Sequence, residues 1–302
     1  MPIPERQLLT WSHQGAVQSS ASTHKSVESC IQKVNWNDDV RYVTYLQGSY
    51  PNYTNIYGNS DVDLVVEFRS LFSKNLSALT ESQRKKFDSD YSDAKYSLDS
   101  FKKSVIEQLQ ECYGENNIEV GNKAILVKGN GSRLDCDVVV CNPYRKYISY
   151  SPNAEDYIEG ILFKTEKTNK TVINYPKVHL KNGSKKNKEE NTSGNFKPTV
   201  RVLKNIKASM IDNGYISKTL APSYFLECLI YNSDNQNFRN DSYSGISVAI
   251  INQFNRDLDN GNMENYLVQN GQQQLFGVED QQWDINDASI FVSQLIKFWN
   301  EF

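Results

Sequence analysis

The segment Asp61-Val62-Asp63-Leu64-Val65-Val66-Glu67-Phe68 constrains the chain more than any other stretch. Strand side chains alternate between faces, so Asp61 and Asp63 share one face while Val62, Leu64 and Val66 form an apolar face opposite. A strand of this kind needs a core on one side and a polar, chemically useful surface on the other. Two carboxylates side by side repel unless a cation lies between them. Pairs at this spacing suit two Mg²⁺ ions about 3.5–4 Å apart, the arrangement of two-metal phosphoryl-transfer sites. A solvated strand carries the same D-x-D pattern, so the surroundings must decide between the two readings.

Upstream, Val43 to Leu46 is a short β-branched and aromatic run that ends at Gly48-Ser49, and Gly48 to Ser60 is rich in turn formers. A glycine at a strand end lets the backbone approach a phosphate closely, and Ser49 adds a hydroxyl to the exposed N–H groups. Downstream, Asp137 opens the apolar run Val138-Val139-Val140. A third carboxylate entering from a neighbouring strand would complete the metal set and favour deprotonation of an attacking hydroxyl. Asp135 is a rival at the same two-residue spacing; Asp137 is preferred because it abuts the apolar run.

Elsewhere, Thr10 to Gln32 and Ser82 to Tyr113 read as helices, the second with Leu98, Phe101, Val105 and Leu109 at helical spacing. Ala124 to Lys128 and Cys136 to Cys141 read as strands. Tyr157 to Phe163 and Thr171 to Ile173 flank a polar turn as a hairpin. The character changes after Pro176. Lys181 to Asn195 is Lys- and Asn-rich and reads as a loop, after which Val200 to Met210, Ser223 to Tyr231, Ile246 to Leu258 and Ala288 to Trp299 are helical. A strand-rich first half and a helical second half imply an α+β protein in two lobes.

With 38% hydrophobic residues the 302-residue chain can bury a sizeable core, and a net charge of −3 argues against a protein whose main task is gripping long nucleic acid. Lys185, Lys186 and Lys188 could still form a local basic patch. Five scattered cysteines without a C-x-x-C pair suggest reduced thiols and a cytoplasmic setting, and no apolar run is long enough for a membrane. His13, His24 and His179 have no metal-ligand spacing.

Taken together, Gln47-Gly48-Ser49-Tyr50, Ser60-Asp61-Val62-Asp63-Leu64-Val65-Val66 and Asp137-Val138-Val139 resemble the polymerase-β-like nucleotidyltransferases. Within them the chain looks like the bacterial cGAS/DncV-like enzymes, which make cyclic oligonucleotide signals in anti-phage defence. Met1-Pro2-Ile3-Pro4-Glu5 with Trp11-Ser12-His13-Gln14-Gly15 is similar to their E clade, the CdnE-like enzymes. The resemblance runs nearly end to end, although the last fifty residues carry no recognised motif.

The resemblance implies a two-lobed fold: a nucleotidyltransferase core with a mixed sheet and an N-terminal spine helix at 1–175, and a helical-bundle lobe at 176–302 that completes the nucleotide pocket. Asp61 and Asp63 would hold two Mg²⁺ or Mn²⁺ ions, with Asp137 on the nucleophile-side ion, and Gln47, Gly48 and Ser49 would sit by the nucleotide. Lys204 matches a lysine on the triphosphate, where its ammonium would neutralise charge. Ser223 would cap a helix and reach a phosphate, and Tyr224 would stack on a base. Asn174, with one donor and one acceptor, matches a base-edge position that goes with pyrimidine use and so favours UTP.

The expected reaction is attack of a ribose hydroxyl on an α-phosphate with release of pyrophosphate. A second round closes a cyclic dinucleotide such as cyclic UMP–AMP or cyclic di-UMP from ATP and UTP. A monomeric enzyme serving a cyclic-nucleotide-sensing effector is implied. Lys181 to Asn195 lacks the Cys and His of the animal synthase's zinc insertion. The alternatives are an enzyme that extends RNA ends or another acceptor, and a catalytically silent binding module.

Overall fold

The computed structural model describes residues 3–15, 18–58, 61–92, 96–279 and 281–302. Met1, Pro2 and Ser60 of the resemblance fall outside them. Eight strands are present among the described residues: β1 Tyr42–Gln47, β2 Val62–Phe68, β3 Ser73–Asn75, β4 Ile118–Val120, β5 Ile125–Val127, β6 Cys136–Ser151, β7 Ala154–Lys164 and β8 Thr171–Asn174. The helices of the first half are α1 Glu5–Ser12, α2 Gln18–Ile31, α3 Ser49–Asn52, α4 Glu81–Asp90 and α5 Leu98–Tyr113. Those of the second half are α6 Pro176–Lys186, α7 Glu189–Thr192, α8 Phe196–Asp212, α9 Ser223–Tyr231, α10 Tyr243–Asp259 and α11 Ile285–Glu301. The chain divides into a sheet unit, 17–50 with 60–178, and a helical unit, 1–16 with 51–59 and 179–302.

In the sheet unit the strands form one mixed sheet with β1-β2-β6-β5-β4 along its path, and β6 also pairs with β3 and β7. The alternation predicted for β2 decides what each face meets. Val62, Leu64, Val66 and Phe68 pack with Val27 and Ile31 of α2 and Phe101, Val105 and Leu109 of α5. Val65 faces the other way, in a smaller cluster with Val139, Cys141, Ile161, Phe163 and Val172. Strand β6 runs on well past Cys141, through Pro143, which cannot donate a ladder hydrogen bond. Pro143 lies where β6 changes neighbours: its pairing with β2 ends at Cys141 and its pairing with β3 starts at Tyr144, so no donor is missed on that side.

In the helical unit, α8 buries Phe196, Val200, Leu203, Ile206 and Met210 at helical spacing. These residues form a core with α9, α10, α11 and Leu8 of α1.

Several expectations change. The helix expected over 10–32 is two helices, because the chain turns extended at His13 after α1. The one expected over 82–113 also divides, with Tyr91 extended after α4. Lys181 to Asn195 is mostly helical in α6 and α7. Lys186 turns inward: its Nζ donates to Ser233 O at 2.8 Å and Asn235 Oδ1 at 2.9 Å, and it lies 5.3 Å from the Tyr231 ring. Burial lowers its pKa to about 8. Gly183 lets α6 approach Gln269, since a Cβ there would sit 2.4 Å from Gln269 Nε2. Lys186 is therefore withdrawn from the expected patch with Lys185 and Lys188, and Lys188 pairs with Glu190 at 3.4 Å.

The all-thiol expectation is also overturned. Cys30 of α2 and Cys112 of α5 form a disulfide, with α-carbons 6.2 Å apart, while Cys136, Cys141 and Cys228 are free and buried. A separation of 82 residues hid the pair, because what matters is that both helices pack on the same sheet face. No described helix is long and apolar enough to cross a membrane.

Candidate active site

The sheet unit brings the predicted carboxylates together by register. In the parallel β2–β6 pair Asp63 lies beside Asp137, and in the antiparallel β1–β2 pair Gln47 lies beside Asp63. Gln47, Asp63 and Asp137 thus make one row across three strands. Asp61 is exposed just before β2, while Asp63 and Asp137 are half-buried. Burial raises the pKa of Asp137, and the negative charges of Asp61 and Asp135 push it further the same way. Among the described residues no three Asp, Glu, His or Cys side chains converge as a finished metal cage. The donor chemistry still fits divalent cations: hard oxygen ligands, crowded like charges and a carboxyl whose pKa is raised by burial and by its acidic neighbours.

Asp135 is committed elsewhere. Its Oδ1 accepts from Gly129 N–H at 2.6 Å, and its carbonyl accepts from Val62 N–H at 2.9 Å, so it braces the loop before β6 and the start of β2.

Gly48 has φ +72°, in the left-handed region where glycine is favoured. A Cβ there would lie 2.0 Å from Asp63 Oδ2. The residue is glycine because the Asp63 carboxylate lies against its α-carbon. Ser49 begins the short α3, and its hydroxyl makes no hydrogen bond among the described residues. Asn174 closes β8 opposite Ile161 of β7, half-buried, and its side-chain amide is likewise unbonded among the described residues. Gly160 on β7 makes room for it, since a Cβ there would stand 2.7 Å from the Asn174 carbonyl oxygen.

The helical unit holds the remaining predicted residues. Lys204 of α8 is buried, and its ammonium donates to Thr54 O at 3.1 Å, Thr54 Oγ1 at 3.3 Å and Glu227 Oε2 at 3.3 Å. Ser223 is the first residue of α9, and the N-cap is Pro222, so the expected capping role of the serine is not what is found. Its hydroxyl makes no hydrogen bond among the described residues. Tyr224 is 44% exposed rather than core. It stacks on His179 at 5.2 Å and 23°, and tilts against Trp283 at 5.8 Å.

Sequence reading missed Glu227, His179, Thr54 and Lys207. Glu227 Oε2 also accepts from Thr54 Oγ1 at 2.9 Å, and Oε1 lies 3.0 Å from His179 Nε2. Burial alone would raise this carboxyl, but the Lys204 ammonium, His179 and Thr54 hold it down at about 2. Lys207, one turn beyond Lys204, is buried and donates to Ala221 O at 2.8 Å, with no carboxylate partner among the described residues. Burial lowers its pKa, and the charges of Lys204 and Lys218 act the same way. A Lys-x-x-Lys pair one turn apart was the available signal for Lys207. Nothing local announces Glu227, since Thr54 lies 173 residues away.

The depressed Glu227 sets an acid limit. A carboxyl whose folded-state pKa lies below its ordinary 4.5 stabilises the fold above that value, and the contribution fades as pH falls toward about 2. The stability gap between wild type and Glu227→Gln in urea unfolding is expected to close by roughly 2–3 kcal/mol between pH 5 and pH 2. A gap that stays constant with pH would remove Glu227 as its source.

Comparison with known proteins agrees with this chemistry. The family model for the C-terminal helical domain of cGAS/DncV-like nucleotidyltransferases matches residues 181–300. A Staphylococcus haemolyticus protein, cyclic nucleotide synthase CdnE01, is 38% identical, with 100% of each chain covered. The cyclic UMP-AMP synthase of Rhodothermus marinus is 38% identical over 99% of this chain and 98% of its own. The solved structure of R. marinus CdnE c-UMP-AMP synthase, with Apcpp and Upnpp, matches with a TM-score of 0.88 at 37% identity, covering 100% of this chain and 98% of that one. The chain belongs to the cGAS/DncV-like nucleotidyltransferase family. It is a nucleotidyltransferase and a cyclic dinucleotide synthase.

Proposed function

We propose that this enzyme joins ATP and UTP into a uridine-containing cyclic dinucleotide, cyclic UMP–AMP or cyclic di-UMP, as a signal in anti-phage defence read by a cyclic-nucleotide-sensing effector. The observation that carries the reading is the cross-strand pair Asp63 and Asp137, with Asp61 close enough to raise Asp137. Asp61, Asp63 and Asp137 are the residues that would hold two Mg²⁺ or Mn²⁺ ions. Such ions supply charge neutralisation at the α-phosphate and acidify an attacking ribose hydroxyl.

The remaining work falls to the chain's own groups. Gln47, Gly48 and Ser49 bring an amide, close backbone approach and a free hydroxyl beside Asp63. Lys204 and Ser223 meet the triphosphate, with Lys207 supplying further positive charge nearby. Tyr224 offers its exposed face to a base. Asn174 reads a base edge, and the full-length similarity to a cyclic UMP-AMP synthase supports uracil there. A cyclic dipurine nucleotide synthase of Elizabethkingia meningoseptica, 31% identical over 86% of this chain and 87% of its own, marks how base choice diverges among the relatives.

The test is incubation of the chain with labelled nucleotides and Mg²⁺ or Mn²⁺, phosphatase treatment, and mass spectrometry. A phosphatase-resistant product holding uridine is expected from ATP plus UTP without primer. Products that appear only with an RNA primer would replace this reading with RNA-end extension. Asn174→Ser should lower the preference for UTP over ATP about tenfold, as loss of one base-edge contact does. Unchanged uridine incorporation in that variant would count against Asn174 as the base reader.

A further inference from the structure

In the helical unit, one buried carboxylate contacts Lys204 directly and reaches Tyr224 through His179. Glu227 is 4% exposed, and its two oxygens are divided. Oε2 takes the Thr54 hydroxyl and the Lys204 ammonium; Oε1 faces His179 Nε2 at 3.0 Å. A carboxylate of low pKa accepts, so His179 Nε2 carries the hydrogen of that bond. His179 Nδ1 is buried without a hydrogen-bond partner among the described residues, so the bond to Glu227 is the one hydrogen bond found for the imidazole among them. The backbone of His179 is held too, because its carbonyl accepts from Gln269 Nε2 at 3.0 Å. The Tyr224 ring lies nearly parallel to that imidazole. Lys204 and Tyr224 are therefore both referenced to the same carboxylate.

We propose that Glu227 is a positioning residue that couples the triphosphate lysine to the base-stacking tyrosine. One oxygen sets the ammonium of Lys204 and the other sets the plane of Tyr224 through His179. The proposal rests on the reading that Lys204 meets phosphate and Tyr224 meets the base. When Lys204 turns toward a phosphate, Glu227 loses a positive partner in a buried setting, where an unbalanced charge is costly. The bonds from His179 and Thr54 must then carry more of that charge. Phosphate binding thereby stiffens the imidazole behind Tyr224, and a correctly seated imidazole makes the release of Lys204 easier.

The coupling is read by perturbing one end and measuring the other. His179→Phe keeps a ring behind Tyr224 and deletes the hydrogen bond to Glu227. Inorganic tripolyphosphate, used as a competitive inhibitor, probes the phosphate end alone. His179→Phe is expected to raise its inhibition constant about fivefold, within the range of coupling between connected residues. His179→Gln, which restores an N–H toward Glu227, should return the constant to within about twofold of wild type.

Thr54→Val perturbs the opposite end and should weaken inhibition by uridine, which has no phosphate, about threefold. This arm decides the matter if His179→Phe does not fold. Tripolyphosphate inhibition unchanged in His179→Phe, or uridine inhibition unchanged in Thr54→Val, overturns the coupling. Lys204→Met serves as the separate check: full tripolyphosphate inhibition in that variant would remove the phosphate assignment itself, and the coupling with it.

Discussion

Replacing Asp63 with Asn should lower the rate of nucleotide transfer at least about a thousandfold without unfolding the protein. The substitution keeps size and strand geometry and removes one charge from a row in which Asp63 stands beside Asp137. Burial and the negative charges of Asp61 and Asp135 raise the pKa of Asp137, so removing a neighbouring carboxylate relieves like-charge crowding in the row. The melting temperature should stay level or rise. Asp135→Asn is the matching control. Its carboxylate is spent on Gly129 N–H, so transfer should fall less than about tenfold if that carboxylate braces a loop rather than holding a cation. Cyclic product at a tenth or more of the wild-type rate in Asp63→Asn, or equal losses in the two variants, would sink the assignment of roles.

Gly48→Ala carries the second large effect. An L-residue at φ +72° is strained by about 1–2 kcal/mol, which by itself lowers stability only. The added Cβ would also stand 2.0 Å from Asp63 Oδ2, so something must shift, and the nearest group is that carboxylate. A misplacement of about 1 Å at a reacting centre costs about a hundredfold in rate, and kcat is expected to fall by that order. Gly58→Ala separates strain from collision. Gly58 has φ +77° but nothing within 4 Å of an added Cβ, so its alanine variant should lose comparable stability and keep full kcat. Similar rates for Gly48→Ala and wild type would mean that the contact with Asp63 does not position the carboxylate.

How much was legible in the sequence depended on how local the cause was. Strand β2 was readable because two residues per repeat sort Asp63 from Val62 and Leu64 within a few positions. Helices α8 to α11 were readable for the same reason at a different period. The continuation of β6 through Pro143 was not, because a proline is harmless only where a strand lacks a neighbour on the donor side, and that depends on β2 and β3. The helical state of 181–195 was hidden because its lysines and asparagines are satisfied by residues far along the chain, such as Ser233 and Asn235 for Lys186. Cys30 with Cys112, and Glu227 with His179 and Thr54, are tertiary pairs with no local mark. The Asp-x-Asp and Gly-Ser patterns pointed to the carboxylate row. The buried charges beside Lys204 and Tyr224 came only from the fold.

Asp137 and Asn174 sit on one hydrogen-bonded lattice, joined through β6, β7 and β8. The frame that fixes the aspartate proposed to hold metal therefore also fixes the residue proposed to choose the base, yet the two are separate side chains on separate strands. A change at the end of β8 can alter which nucleotide is accepted without redrawing the register that aligns Asp63 with Asp137. Such an arrangement would let the message vary while the register beneath it stays the same.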